Sequence, residues 1–139
     1  MPPITRKMKR IQEVVLPLLR DRLDPSIEVV SWGADILDRT FPYIMIRRLG
    51  GLPVDVDLLD RPVIEMTAYG RESLAATEDL YLDARQVLWE AWKNQTVVPT
   101  KGYIHSYFET LGPTQFDSPW DDTWRIQGLI QLGLRPAKN

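Results

Sequence analysis

Arg61-Pro62-Val63-Ile64-Glu65-Met66-Thr67-Ala68-Tyr69-Gly70, with the helix-forming run Ser73 to Gln95 close behind it, decides the fold of this chain. Side chains of a strand alternate between faces, which sets Ile64, Met66 and Ala68 against Val63, Glu65, Thr67 and Tyr69. In the run that follows, Leu74, Thr77, Tyr81, Ala84, Leu88 and Ala91 fall on one stripe. Leu80, Val87 and Trp92 broaden it, as in an amphipathic helix. Ser73 is placed to cap the N-terminus, and Val98-Pro99 closes the element. The heart of an α+β domain therefore lies in about 35 residues, and no catalytic motif interrupts it. Ile64, Met66 and Ala68 are expected to face the helices, and Glu65, Thr67 and Tyr69 to face water or a neighbouring molecule.

Working outward, Ile4 to Leu23 carries Met8, Ile11, Val15, Leu18 and Leu19 at helical spacing. Pro17 inside that pattern predicts a kink or a helix restarting near Leu16, and Asp24-Pro25 ends it. Ile27 to Trp32 and Phe41 to Arg48 read as strands, joined by a polar connection, Gly33 to Thr40. Leu52 to Asp60 lacks a usable period and reads as an extended loop. Two more strands are expected at Gly102 to Thr110 and Thr123 to Leu134, with Leu111 to Asp122 as a long hairpin loop holding Gly112, Pro113 and Pro119. The order is α-β-β-β-α-β-β. Short connections favour a mainly antiparallel sheet of about five strands with both helices on one face.

The 139 residues are expected to form one domain, long enough to bury roughly two-thirds of its unfolded surface. A charged fraction of 26% and a net charge of −2 place it among folded soluble chains and give no global attraction to nucleic acid or anionic lipid. With no cysteine, disulfides and thiolate sites are excluded and a reducing compartment of synthesis is expected. No signal peptide is read at the basic N-terminus, and no apolar run approaches membrane-spanning length.

Chemistry is hard to find. The one histidine, His105, alternates with Tyr103 and Tyr107 in a strand, the setting of a structural residue. Asp55, Asp57 and Asp60 cluster, but without the glycine and terminal glutamate of a calcium loop. Asp117, Asp121 and Asp122 form a second acidic group, whose use as acid and base would require a desolvating pocket. Gly50-Gly51 precedes no phosphate-binding helix, and the basic run Thr5 to Arg10 has no interleaved aromatics. No catalytic residue, cofactor or metal site is assigned. What stands out is an excess of aromatic and apolar side chains, among them Trp32, Tyr43, Tyr69, Phe116, Trp120 and Trp124. Such a surplus points to a second buried surface, most simply an interface between subunits.

The opening Met-Pro-Pro-Ile-Thr-Arg, the segment Phe41-Pro42-Tyr43-Ile44 to Arg47-Arg48-Leu49-Gly50-Gly51, the stretch Arg61 to Tyr69 and the closing Asp122-Thr123-Trp124-Arg125-Ile126-Gln127-Gly128 together resemble tail terminator proteins of long-tailed bacteriophages, especially those infecting actinobacteria. The likeness spans nearly the whole chain and rests on pattern, not on a chemical motif. It implies a small virion subunit, made and assembled in the host cytoplasm, that forms a homohexameric ring on the completed tail tube. The ring would stop tube polymerisation, meet the head-tail connector protein and let the genome DNA pass without specific binding. A closed ring gives every subunit heterologous interfaces, a use for the surplus aromatics. From position, the expected interface comprises Arg47, Arg48, the Leu52–Asp60 loop with Asp55 and Asp57, the Leu111–Asp122 loop with Phe116 and Trp120, and Trp124. The rival readings are a head-completion or neck adaptor protein, a small hydrolase using Asp117, Asp121 or Asp122, and a nucleic-acid module using the basic N-terminus.

Overall fold

The computed structural model describes residues 3–4, 7–31 and 40–138. Their elements run α1 (Gln12–Arg22), β1 (Glu28–Val30), β2 (Tyr43–Arg48), β3 (Val63–Gly70), α2 (Leu74–Lys93), β4 (Tyr103–Phe116) and β5 (Trp124–Arg135). The sheet order is β1-β2-β3-β5-β4. Strands β2, β3, β5 and β4 pair antiparallel, while β1 lies parallel to β2. The α+β architecture expected from the sequence is thus present, with one parallel pair. That pair is permitted because residues 31–42 separate its strands, and parallel neighbours need such a crossover. Trp32 and the Gly33–Arg39 part of the expected polar connection lie outside the described residues, as do Thr5 and Arg6.

Helix α2 carries the chain from β3 across the sheet to β4, and β5 then returns between them, which makes β3 and β5 the central strands. The Ser73 hydroxyl accepts the Ala76 N–H at 3.0 Å, capping the helix as its sequence foretold. Its buried residues, Thr77, Leu80, Tyr81, Ala84, Val87, Leu88 and Ala91, are the predicted stripe. Helix α1 begins at Gln12 rather than Ile4 and runs through the exposed Pro17 without restarting. It buries Val14, Val15, Leu18 and Leu19, and its Arg20 guanidinium donates to the Val29 carbonyl at 2.6 and 3.1 Å, occupying an acceptor of the edge strand β1. Both helices share one core with Ile44, Ile46, Ile64, Met66, Ala68, Ile126 and Ile130.

Two expectations change. Strand β4 does not stop at Thr110; it continues through Leu111 to Phe116, so the hairpin loop is residues 117–123. Gly112 and Pro113 read as turn residues, yet β4 is an edge strand whose outer side needs no donor. Register shifts around Leu111 absorb the proline. Further, Glu65, Thr67 and Tyr69 do point away from the helices, but not into water: all three are buried. Strand β3 is covered on both faces by its own chain.

The second central strand is fitted as tightly. A Cβ on Gly128 would lie 1.9 Å from the Tyr81 hydroxyl and 2.8 Å from the Leu111 carbonyl, so only glycine lets the tyrosine lie on β5. That buried hydroxyl has no hydrogen-bond partner among the described residues, and burial pushes its ionisation well above the ordinary phenol range. Gly128→Ala is expected to cost about 3 kcal/mol in urea unfolding, the scale of overpacking in a closed core. Tyr81→Phe alone should leave stability unchanged or raise it by up to about 1 kcal/mol, since it removes an unsatisfied buried group.

Candidate assembly surfaces

The candidate residues fall into two groups at opposite ends of the strands. Tyr43, Tyr69, Trp124 and Phe116 are at one end, fixed there by the pairs Tyr43–Tyr69, Gly70–Trp124 and Phe116–Arg125. Arg48, the connection 49–60 and the bridge Asp60–Leu134 are at the other. Between them runs β3, eight residues long, which sets the ends roughly 23 Å apart at about 3.3 Å per residue.

At the first end an aromatic lid covers the sheet face that the helices leave free. Tyr43 and Tyr69 stack at 4.8 Å between ring centroids. Trp120, from the β4–β5 loop, folds back edge-on over Tyr69 at 5.1 Å and also meets Phe41 at 5.9 Å. The loop is shaped for this: Thr123 donates to the Trp120 carbonyl at 2.6 Å, and the Ser118 and Thr123 hydroxyls are hydrogen-bonded to each other. Trp120 is left half-buried. Phe116, 38% exposed, closes β4 with the Arg125 guanidinium 5.3 Å from its ring centroid. Trp124, half-buried, opens β5. Asp117, Asp121 and Asp122 are all exposed beside this lid.

Along the same face the lid passes into polar pairs. Arg47, itself exposed, meets buried Glu65 at 3.0 Å. Thr67 donates to the Gln127 side-chain oxygen at 3.4 Å, and Arg125 donates to that same oxygen. Buried polar groups in an otherwise apolar strand are tolerable because they are paired.

At the second end Arg48 works as a clamp. Its guanidinium reaches both Asp60 carboxylate oxygens, at 2.6 and 3.1 Å, and donates to the Gly50 and Gly51 carbonyls at 2.8 and 3.1 Å. Gly51 has φ +90°, and a Cβ there would lie 2.1 Å from the Arg61 carbonyl, so the turn requires glycine. Above the clamp the Asp55 carboxylate accepts the Asp57 and Leu58 N–H groups at 2.9 and 3.1 Å. Asp55, Asp57 and Asp60 thus have separate settings: a turn, open solvent and an ion pair. The described residues hold no group of three or more potential metal ligands.

Sequence reasoning placed this connection among the contacts but singled out its aspartates and not its apolar side chains. Leu52, Val54 and Val56 are 81%, 60% and 72% exposed on a segment whose backbone is tied down. The signal was the alternation Val54-Asp55-Val56-Asp57-Leu58, which sets apolar groups beside charges that keep them soluble. Phe108, 64% exposed on β4, was likewise not singled out. Exposed apolar groups gathered on an ordered segment mark an interaction surface.

The family described as phage tail termination protein matches residues 7–139. The chain is 48% identical over 134 residues to the Gene 22 protein of Mycobacterium phage L5, covering 93% of this chain and 94% of that one. It is 47% identical over 137 residues to the Gene 22 protein of Mycobacterium phage D29, covering 95% and 96%.

The clamp gives a direct test. Arg48→Ala strands the Asp60 carboxylate, 9% exposed, without its cation. A loss of about 2–4 kcal/mol is expected, together with faster amide exchange confined to residues 49–60. Unchanged exchange there would show that the segment holds its shape without Arg48.

Proposed function

This chain belongs to the phage tail termination protein family, a structural component of the bacteriophage tail, and from that premise we propose that it forms a homohexameric ring that caps the tail tube, stops its polymerisation and joins it to the head connector protein. The observation that carries this reading is the pair of ordered, partly apolar surfaces at opposite ends of one rigid sheet. A subunit held between two partners needs two such ends, and a ring adds lateral contacts between copies. Both ends are held by hydrogen bonds within the chain, so little ordering entropy remains to be lost on assembly. Arg47, Asp57, Phe116, Trp120 and Trp124 are then candidate contacts, while Arg48 and Asp55 act by shaping the segment that makes contact. The net charge of −2 suits a bore through which DNA passes, because phosphate binding needs clustered cations facing it. Assembly in the host cytoplasm belongs to the same proposal.

Electron microscopy and solution mass, with and without tail tubes, decide the matter. Six-fold rings on tube ends are the expected result; tubes that grow unchecked in the presence of the protein overturn it. Paired substitutions locate the contact. Phe116→Ala is expected to leave the subunit folded and to weaken joining to the tail. Trp120→Ala should cost about 1–3 kcal/mol, since it uncovers the stacked tyrosines, yet still leave a folded monomer that joins poorly. Variants that fold and join normally would remove this end of the sheet from the contact.

A further inference from the structure

Three chain-distant segments build a groove that the reading above does not use. The N-terminal Lys7 and Lys9, the turn before β4 with Lys101, and the tail after β5 with Arg135 and Lys138 line a cavity of about 1070 Å³. Its remaining walls are largely apolar: Val97, Tyr103, Pro136, Ala137 and, on one rim, Leu58. No acidic side chain among the described residues lines it, although Lys101 is also paired with Glu13 at 3.2 Å. In a chain with 19 acidic and 17 basic residues, such segregation of charge is a local feature and not an average one.

The chemistry of the groove selects its occupant. Duplex DNA would satisfy the cations but leave the apolar wall uncovered, because it presents its phosphates and keeps its base faces stacked inside. An extended segment that alternates acidic and apolar residues satisfies both. This chain displays one: Leu52, Val54 and Val56 project from the β2–β3 connection with Asp57 among them, held in shape by the Arg48 clamp. The connection and the groove adjoin at one end of the sheet, where Asp60 bridges Leu134 and Leu58 lines the groove, but Leu52, Val54, Val56 and Asp57 are not among the residues lining it. Donor and acceptor are therefore neighbouring but distinct sets of side chains, which a head-to-tail contact between copies permits.

We propose that the acidic–apolar segment Leu52–Asp57 of one copy docks in the basic groove of a second copy, with the valines against the apolar wall and Asp57 among the lysines. The inference rests on the reading of this protein as a self-assembling subunit and names the lateral contact. Leu58 of the same connection lines the groove of its own copy, so the docking segment is the part of the connection before it.

The absence of native cysteine makes the test direct. Val56→Cys in the segment and Val97→Cys in the groove both replace exposed residues, 72% and 49% accessible, so neither should disturb folding. The two variants are mixed, with and without tail tubes, and joined by oxidation or by a short bismaleimide. Covalent dimers are expected in the mixture and not in either variant alone. Adding Asp57→Lys to the first variant should lower the yield by roughly tenfold, and rising salt should lower it further, as for rim charges that steer association. Equal linking in the unmixed samples, or none in the mixture, overturns the proposal. Measuring mass on the same samples separates the two readings: six-fold rings without linkage sink this contact alone. Linked pairs without rings keep the contact and sink the hexamer.

Discussion

Burial of β3 on both faces is the constraint on which the rest of this structure depends. From Ile64 to Gly70 no side of the strand reaches water. The helices account for Ile64, Met66 and Ala68, whose burial against α1 and α2 supplies the ordinary hydrophobic core. Among the described residues, the opposite face has no helix. It is closed instead by side chains of the sheet and by one loop: the Arg47–Glu65 pair, the Thr67–Gln127–Arg125 group, and Trp120 folded onto Tyr43 and Tyr69. An open sheet of five strands cannot leave stacked tyrosines and a carboxylate half-covered without loss. The long β4–β5 hairpin follows from that need. It must reach back far enough to set Trp120 over the face.

This arrangement fixes where function can reside. The centre of the sheet is closed on both sides, so contacts with other molecules are left to the strand ends, the edges and the connections. The described residues follow that division. The most exposed apolar groups of the strands and their connections are Leu52, Val54 and Val56 at one end and Phe108 on the edge strand β4, with Phe116 less exposed at the other end and Leu82 and Trp89 partly exposed on α2. Several of the unusual residues hold such surfaces in shape, as Arg48 and Asp60 do at one end and Trp120 at the other.

The central elements were legible because their determinants are local. The stripe from Leu74 to Ala91 and the Ser73 cap lie within one segment, and a 3.6-residue period needs no partner to be seen. The alternation of β3 was equally plain, and so were its two faces, but the cover on the second face was not. That cover comes from Trp120, some fifty residues away in sequence, and no local pattern announces a long-range contact. Strand β4 was cut short because Gly112 and Pro113 signal a turn, and only its place at the sheet edge makes them tolerable. The parallel pairing of β1 was hidden because a short strand carries no mark of its direction. At the candidate surfaces, Arg47, Phe116 and Trp120 could be chosen as arginine and aromatic residues beside loops. The three exposed apolar residues of 52–56 were hidden by the aspartates among them. The role of Arg48 required knowing that Asp60 returns beneath it.

The Arg48 clamp bears on assembly through entropy. A flexible connection of a dozen residues bearing exposed leucine and valine would be soluble but would lose much conformational freedom on docking, at about 1–2 kcal/mol per residue fixed. With its guanidinium on two carbonyls and a carboxylate, and with Asp55 closing the turn above, much of that cost falls on folding and not on association. The apolar groups gain no burial from this order within the subunit, where they stay exposed. Order without burial is difficult to explain by the stability of one copy. It is what a preformed contact requires, since the same apolar area then yields more association free energy once a partner covers it.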